Sequence, residues 1–302
     1  MSTSLESAVQ RAAGLRDDGR GWISMTAGGL LLGTLGVFVE EAAQHPLTTV
    51  WFRCAFGALA LLAWAAASGR LDELRLGGRA WTVAAAAGLL MAINWALFFG
   101  AIERTSIAVA TVVFHVQPLW VMAAGVWWLG ERVSRAKAAA VVAALIGLAL
   151  ASGLGDAGGA PGSDYVLGLA MCLGGSLSYA GVTLIAKASR ALTPFALAWG
   201  QCVVGTLLLA WWPLQHGSPP AGPAWAWLAG LGVLHTGLAY VLLYAGMARL
   251  SSARIALLQF VYPASAIAMD WLVYGRALDA VQWVGVGLMA AALVAVRDDT
   301  RP

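Results

Sequence analysis

Long apolar blocks alternate with short polar segments along nearly the whole chain, and this pattern predicts a bundle of membrane-spanning helices. A bilayer core about 30 Å thick requires roughly 20 apolar helical residues, whereas barrel strands are about 10 residues long and alternate in polarity. The blocks are continuous, so we predict about ten spanning helices. The predicted spans are 22–39, 46–68, 80–102, 105–130, 138–155, 165–186, 193–214, 224–247, 255–274 and 280–296.

The longest uncharged stretch, residues 191–248, is too long for a single span. A polar segment rich in glycine and proline, residues 215–223, interrupts it. Such clusters mark turns, so this stretch is predicted to hold two helices.

Composition excludes a water-soluble protein. Of the 302 residues, 60% are hydrophobic and 11% are charged, whereas soluble domains hold roughly 45–50% apolar and about 25% charged residues. The 15 tryptophans and 36 glycines agree with this, because Trp favours the headgroup level and Gly is frequent in membrane helices. The lipid bilayer is therefore a predicted partner.

The basic residues predict the orientation in the membrane. The net charge of +3 gives no sign of a nucleic-acid partner, because the Lys and Arg residues are spread thinly. Arg104 and Arg276 lie on one side, Arg53 lies within a span, and all others lie on the side of both termini. Cytoplasmic loops carry the excess of Lys and Arg. We therefore predict a multi-pass protein of the cell inner (plasma) membrane with both termini cytoplasmic.

The two halves of the sequence resemble each other. Pro46, Trp51, Cys54 and Gly57 recur with the same spacing as Pro194, Trp199, Cys202 and Gly205, and Pro118, Ser106 and Gly130 recur as Pro263, Ser251 and Gly275. Each half holds five predicted spans, and because five is odd, the second half must enter the membrane inverted relative to the first. Inverted repeats are a recurrent architecture of secondary transporters, with the substrate site between the halves.

The predicted organisation follows from the spans and the repeat. It consists of a cytoplasmic N-terminal tail (1–21), a first five-helix repeat (22–155), a periplasmic linker (156–164), a second five-helix repeat (165–296) and a cytoplasmic C-terminal tail (297–302).

A set of short motifs points to a known family. They are the Arg53 block on the second span, Ser106 at the start of the fourth, Gln117-Pro118-Leu119 within it, Gly130-Glu131 at its end, and Tyr262-Pro263 in the ninth. In this order and spacing the chain, from about residue 22 to 296, resembles the drug/metabolite transporter superfamily. The resemblance implies an all-α integral membrane protein of ten transmembrane helices in two inverted-topology five-helix repeats. One departure is Gly275-Arg276, where the family pattern has Gly-Glu.

Within the superfamily the chain is most similar to bacterial exporters of metabolites and aromatic amino acids. The resemblance implies a secondary transporter that exports small organic solutes, above all aromatic or hydrophobic amino acids and related metabolites, by alternating access. The alternatives are an exporter of lipophilic cations or drugs and a non-transporting structural or sensory membrane protein. The sequence has no GxxxxGK[ST] and no cluster of acids, histidines or nucleophiles at one depth. We therefore predict no enzymatic activity, no cofactor and no metal site.

Several predicted spans present aromatic, amide and hydroxyl side chains on one face, since residues three and four apart share a face. A cavity with such walls suits zwitterionic or neutral solutes with apolar side chains, and cations could use the ring faces. The predicted substrate-binding residues are Asn94, Trp95, Phe98, Phe114, Gln117, Tyr179, Thr236, Tyr240, Gln259 and Tyr262.

Five further residues within spans are candidates for gating or charge recognition. Pro118 and Pro263 predict mid-helix kinks, which either serve gating or are static. Buried ionisable residues are costly in lipid and mark functional sites, here Arg53, His115 and His235. Arg53 could bind a substrate carboxylate, form a structural ion pair or snorkel, and the histidines could titrate. Proton coupling and facilitated diffusion both stay open.

Small residues in the spans indicate packing. Gly29-x3-Gly33 on the first span lets a neighbouring backbone approach, which we interpret as packing within one protomer. The three cysteines fall in apolar blocks without a CxxC, so we predict inert packing residues. We predict a monomer or a weak dimer.

Overall fold

The computed structural model describes residues 2–152 and 162–297, and the elements in these ranges are helical. We number the helices α1 to α10 in chain order, and a helix that is interrupted keeps one label for its consecutive segments. The first half comprises α1 (Ser2–Gly33 and Leu35–Ala42), α2 (Pro46–Ala67), α3 (Gly78–Arg104), α4 (Ile107–Phe114 and Gln117–Leu129) and α5 (Arg135–Ala151), with a short 3-10 helix at Leu71–Leu74. The second half comprises α6 (Ser163–Ala188), α7 (Pro194–Leu208 and Trp211–His216), α8 (Ala224–Gly230, Leu231–Leu238 and Ala239–Met247), α9 (Ser252–Leu258 and Val261–Tyr274) and α10 (Ala280–Arg297).

Eight of the described helices are long and apolar enough to cross a membrane, and Ala280–Ala295 is a shorter apolar helix. The remaining predicted span, 138–155, corresponds to α5, which has 17 residues. The all-helical prediction is confirmed, while the count of ten spans stays a prediction. No break separates the predicted N-terminal tail from the first span, because Ser2–Gly33 is one helix. Most of the predicted linker (residues 156–161) and residues 298–302 of the C-terminal tail lie outside the described residues.

The helices of the two halves pack in equivalent ways. α1 packs on α8 and α9, and α6 correspondingly packs on α3 and α4. α2 packs on α8, as α7 does on α3, and α2–α7, α4–α9 and α5–α10 pair across the halves. Each helix of the first half therefore makes the same contacts as the helix numbered five higher in the second half. Two inverted five-helix repeats require this equivalence.

Glycines allow the closest helix contacts. A Cβ atom on Gly285 of α10 would lie 2.4 Å from the carbonyl oxygen of Gly147 on α5, so these two helices meet backbone to backbone. A Cβ atom on Gly33 of α1 would lie 2.1 Å from Ser265 Oγ on α9. The Gly29-x3-Gly33 motif thus packs within the protomer, as predicted.

Besides α7, which is interrupted at residues 209–210, four helices depart from regular α-geometry. α1 is interrupted at Thr34, and α4 and α9 are interrupted at residues 115–116 and 259–260, just before Pro118 and Pro263. A proline lacks the amide donor and its ring clashes with the preceding turn, which explains the interruptions in α4 and α9. In α8, Leu231–Leu238 is a π-helix. This geometry is rare in proteins, and where it occurs it is often at a functional site.

Polar contacts tie the helices together at the end that bears the termini. The Glu131 carboxylate forms an ion pair with Lys187 Nζ at 2.8 Å and accepts a hydrogen bond from the Ser252 amide at 2.7 Å. Lys187 also donates to the Leu250 carbonyl oxygen at 2.6 Å. The end of α4, the end of α6 and the start of α9 are thereby joined across the two repeats.

The short connection between α2 and α3 makes a second polar contact at this end. Glu73 accepts hydrogen bonds from Arg70 Nε and, at 2.8 Å, from the Thr193 hydroxyl at the start of α7. The hydrogen bond from Arg70, and then that from Thr193, holds the pKa of the Glu73 carboxyl below its ordinary value.

Candidate functional site

A cavity of about 740 Å³ lies between the two repeats. Its walls come from helices of both halves and include Gly33, His115 and Gln259, which lie at or beside the interruptions in α1, α4 and α9. The cavity is within the size range of small-molecule sites. The predicted residues that line it are Arg53, Asn94, Trp95, Phe98, Phe114, His115, Gln117, Tyr179, Tyr240, Gln259 and Tyr262.

Four predicted residues do not line the cavity. Thr236 and His235 lie on the π-helix behind its wall, and Pro118 and Pro263 lie beside the helix interruptions. Thr236 Oγ1 donates to the Leu231 carbonyl at 2.9 Å and accepts from Arg53 Nε at 2.8 Å. Thr236 therefore holds Arg53, which lines the cavity, without lining it itself.

Arg53 supplies a positive charge in the wall, with only 6% of its surface exposed. Its guanidinium carbon lies 5.5 Å from the centre of the Trp95 ring, and its buried Nη2 has no hydrogen-bond partner among the residues described. No carboxylate in the described ranges pairs with it: the acids that line the cavity there, Glu40 and Asp270, pair with Arg276 instead. A buried guanidinium without a counter-charge favours binding of an anionic group.

Aromatic rings form part of the remaining wall, beside aliphatic side chains. The Phe114 ring lies 5.1 Å from Phe98 and 5.9 Å from Tyr179, measured between ring centres. The Tyr262 ring stacks on His115 at 6.2 Å. These surfaces fit an apolar or aromatic solute body.

Three amide side chains reach the cavity from α3, α4 and α9. Gln117 Nε2 and Gln259 Nε2 both donate to the Thr183 hydroxyl, at 3.1 and 3.3 Å, and Asn94 Nδ2 donates to Met91 Sδ at 3.6 Å. Within the part of the chain that the structure describes, the Asn94 and Gln259 amide oxygens are buried without hydrogen-bond partners. Sequence reasoning missed Thr183, although it lies one helical turn after Tyr179 on the same face.

His115 lies in the interruption of α4. Its Nδ1 is 2.7 Å from the Thr111 carbonyl oxygen, and because a carbonyl only accepts, Nδ1 carries the hydrogen. Nε2 therefore keeps a lone pair in the neutral ring.

His235 connects the π-helix to the interruption of α1. Its Nε2 lies 2.8 Å from Thr34 Oγ1, and its ring lies 4.6 Å from the Phe38 ring. The neighbouring residues His235 and Thr236 thus contact α1 and α2 respectively, a link that periodicity on an α-helix does not predict.

The cavity leads to the molecular end opposite the termini. Its lining there includes Glu40, Asp270 and Arg276, with Arg276 bound to Glu40 at 2.9 Å and to Asp270 at 2.6 Å. The Glu131–Lys187 ion pair lies outside the lining, at the opposite end. The cavity is thus open towards one end of the bundle and closed towards the other.

Comparison with known proteins identifies relatives over nearly the full length. The family model of the EamA-like transporter family matches residues 19–153 and again residues 166–297. The uncharacterized transporter YxxF of Bacillus subtilis is 27% identical over 90% of this chain and 87% of that protein. Protein RarD of Streptomyces exfoliatus is 29% identical over 81% of this chain and 76% of that protein. A solved crystal structure shares the fold with a TM-score of 0.79, at 20% identity over 91% of this chain and 96% of that one.

Proposed function

Because the chain belongs to the EamA-like transporter family, within the drug/metabolite transporter superfamily, we propose that it exports aromatic and other hydrophobic amino acids and related metabolites. The chain is a multi-pass membrane transporter with a small-molecule substrate. In our proposal it resides in the inner membrane with both termini cytoplasmic, and it works by alternating access around the central cavity.

The observation that carries the substrate class is Arg53. An uncommitted guanidinium nitrogen in a cavity lined by aromatic and aliphatic side chains is the partner that a single carboxylate requires. The aromatic walls provide the complementary surface for an apolar side chain. A lipophilic cation would use the same rings but would be repelled by the buried positive charge.

Alternating access is supported by the one-sided opening of the cavity. Glu131, Lys187 and Ser252 join the repeats at the closed end, while Arg276 and its two carboxylate partners lie at the open end. With cytoplasmic termini, this conformation faces the periplasm. A rearrangement of the two repeats that closes the open end and opens the closed end would then move the substrate across the membrane.

Counterflow in proteoliposomes tests the proposal. Purified protein is reconstituted with unlabelled tryptophan inside, and entry of radiolabelled tryptophan or phenylalanine is measured against protein-free liposomes. We expect accelerated entry that unlabelled phenylalanine inhibits. Absence of flux for both amino acids and for threonine would reject the amino-acid class, and flux of a viologen without amino-acid flux would favour the cation exporter.

A further inference from the structure

We propose that Gln259 and Asn94 form a subsite for the substrate's ammonium group, with Thr183 as the positioning residue, separate from the carboxylate partner Arg53. The inference rests on the proposed function, because it assigns the second charged group of an amino acid to a place in the same cavity.

The orientation of both glutamine amides follows from the Thr183 hydroxyl. This hydroxyl donates its hydrogen to the Tyr179 carbonyl oxygen at 3.1 Å, one turn earlier in α6. It then has only its two lone pairs left, and these accept the hydrogen bonds from Gln117 and Gln259. Only an amide NH2 group can donate to them, so both glutamines must turn their carbonyl oxygens away from Thr183.

The consequence is a set of acceptors that lack donors. Gln259 Oε1 is buried and has no hydrogen-bond partner in the described ranges, and it belongs to a residue that lines the cavity. Asn94, which is 5% exposed, turns its NH2 group to Met91, which leaves Oδ1 buried and without a partner. An unpaired buried acceptor is costly, so a ligand that donates hydrogen bonds at both sites gains affinity.

An ammonium group matches these acceptors better than the alternatives. It has three donors and no acceptor, whereas a carboxylate would be repelled by the amide oxygens. The carboxylates that line the cavity in the described part of the chain, Glu40 and Asp270, pair with Arg276 at the open end. Neutral oxygens and the faces of neighbouring rings are therefore the groups available to a buried cation here.

Three related ligands separate the two polar subsites. Tryptophan carries both charged groups, indole-3-propionate lacks the ammonium group, and tryptamine lacks the carboxylate. Competition binding to purified protein gives the dissociation constants of the three ligands. Their two ratios to the tryptophan value compare variants independently of the amount of folded protein. The preference for tryptophan over indole-3-propionate reports the ammonium subsite, and the preference over tryptamine reports Arg53.

In the wild-type protein we expect tryptophan to bind about 10- to 100-fold more tightly than indole-3-propionate. Thr183→Val keeps the shape but removes the hydroxyl, so the amides lose their fixed orientation and this ratio should fall towards one. The tryptophan-to-tryptamine ratio should not change. Thr183→Ser restores the hydroxyl and should restore the first ratio.

Thr206→Val is the matched control, because the Thr206 hydroxyl donates to Cys202 on its own helix and Thr206 does not line the cavity. It should leave both ratios unchanged. If Thr183→Val does not fold, Gln259→Met removes one acceptor directly and should lower the first ratio.

Equal binding of tryptophan and indole-3-propionate by the wild-type protein, or an unchanged ratio in Thr183→Val and Gln259→Met, would overturn the subsite and leave the proposed function standing. Absence of binding and counterflow for every amino acid would instead remove the proposed function, and the subsite with it.

Discussion

Arg53 has opposite expected effects on stability and on ligand binding, and this makes its substitution the sharpest test of the cavity. In Arg53→Met an unbranched apolar side chain that ends at the position of Nε replaces the arginine side chain. Thr236 keeps its hydrogen bond to the Leu231 carbonyl, so the change leaves no buried hydroxyl without a partner.

The stability of the ligand-free protein should not fall. The substitution removes the hydrogen bond from Arg53 to Thr236, worth about 0.5–1.5 kcal/mol, and the contact with the Trp95 ring, worth about 0.5–2 kcal/mol. It also removes the desolvation penalty of a buried charge without a carboxylate partner, which is several kcal/mol. We expect an unchanged or higher melting temperature.

Ligand affinity should fall. A hydrogen bond to a charged group contributes about 1.5–3 kcal/mol, which corresponds to about 10- to 150-fold in the dissociation constant. At a ligand concentration 100 times the wild-type Kd, binding stabilises the wild-type protein by about 2.7 kcal/mol. The same concentration should stabilise Arg53→Met by only about 0.3–1.4 kcal/mol.

Thermal unfolding in detergent, with and without tryptophan, measures both effects in one experiment. Arg53→Lys is the companion variant: it keeps the charge but loses the planar fork, so it should show intermediate ligand stabilisation. A melting temperature several degrees below wild type together with undiminished ligand stabilisation would show that Arg53 is a structural residue, and the reasoning from its unpaired nitrogen would be refuted.

Three further predictions concern packing and the closed end. Gly285→Ala should lower the free energy of unfolding by about 1–3 kcal/mol, whereas Gly287→Ala meets nothing within 4 Å and should not; equal thermal shifts would contradict the backbone contact. Glu131→Gln should lower the free energy of unfolding by about 1–3 kcal/mol, because its lysine partner is largely buried. Asp72→Asn, in an exposed ion pair, should lower it by about 0–1 kcal/mol. Equal losses in the two variants would contradict a larger contribution of the ion pair at the closed end. The stability advantage of wild type over Glu73→Gln should be full at neutral pH and lost as pH falls through the lowered folded-state pKa of Glu73; a melting-temperature difference that does not change with pH would contradict this.

The sequence alone predicted much of the architecture. The apolar blocks marked the helices, because each must supply enough apolar length to cross the bilayer. The recurring prolines and glycines marked the repeat, and Pro118 and Pro263 lie beside interruptions in α4 and α9 because a proline breaks a helix locally. Most of the residues that helical periodicity selected, such as Asn94 and Gln259, line the cavity.

Periodicity failed at α8 for a local reason. Thr236 and Tyr240 would share a face on an α-helix, but the π-helix at Leu231–Leu238 has hydrogen bonds five residues apart and changes the angular spacing. Tyr240 lines the cavity, whereas Thr236 turns to Arg53. No signal in the local sequence distinguishes this geometry from an ordinary helix.

The sequence therefore determined which segments form long apolar helices and which faces are polar, since both follow from local periodicity and from the bilayer as solvent. Only the tertiary structure decided that Arg53 has no carboxylate partner among the described residues, that Thr183 orients two glutamines, and which end of the cavity is open. These features depend on distances between side chains on different helices, which are set by how the repeats pack together rather than by any one segment.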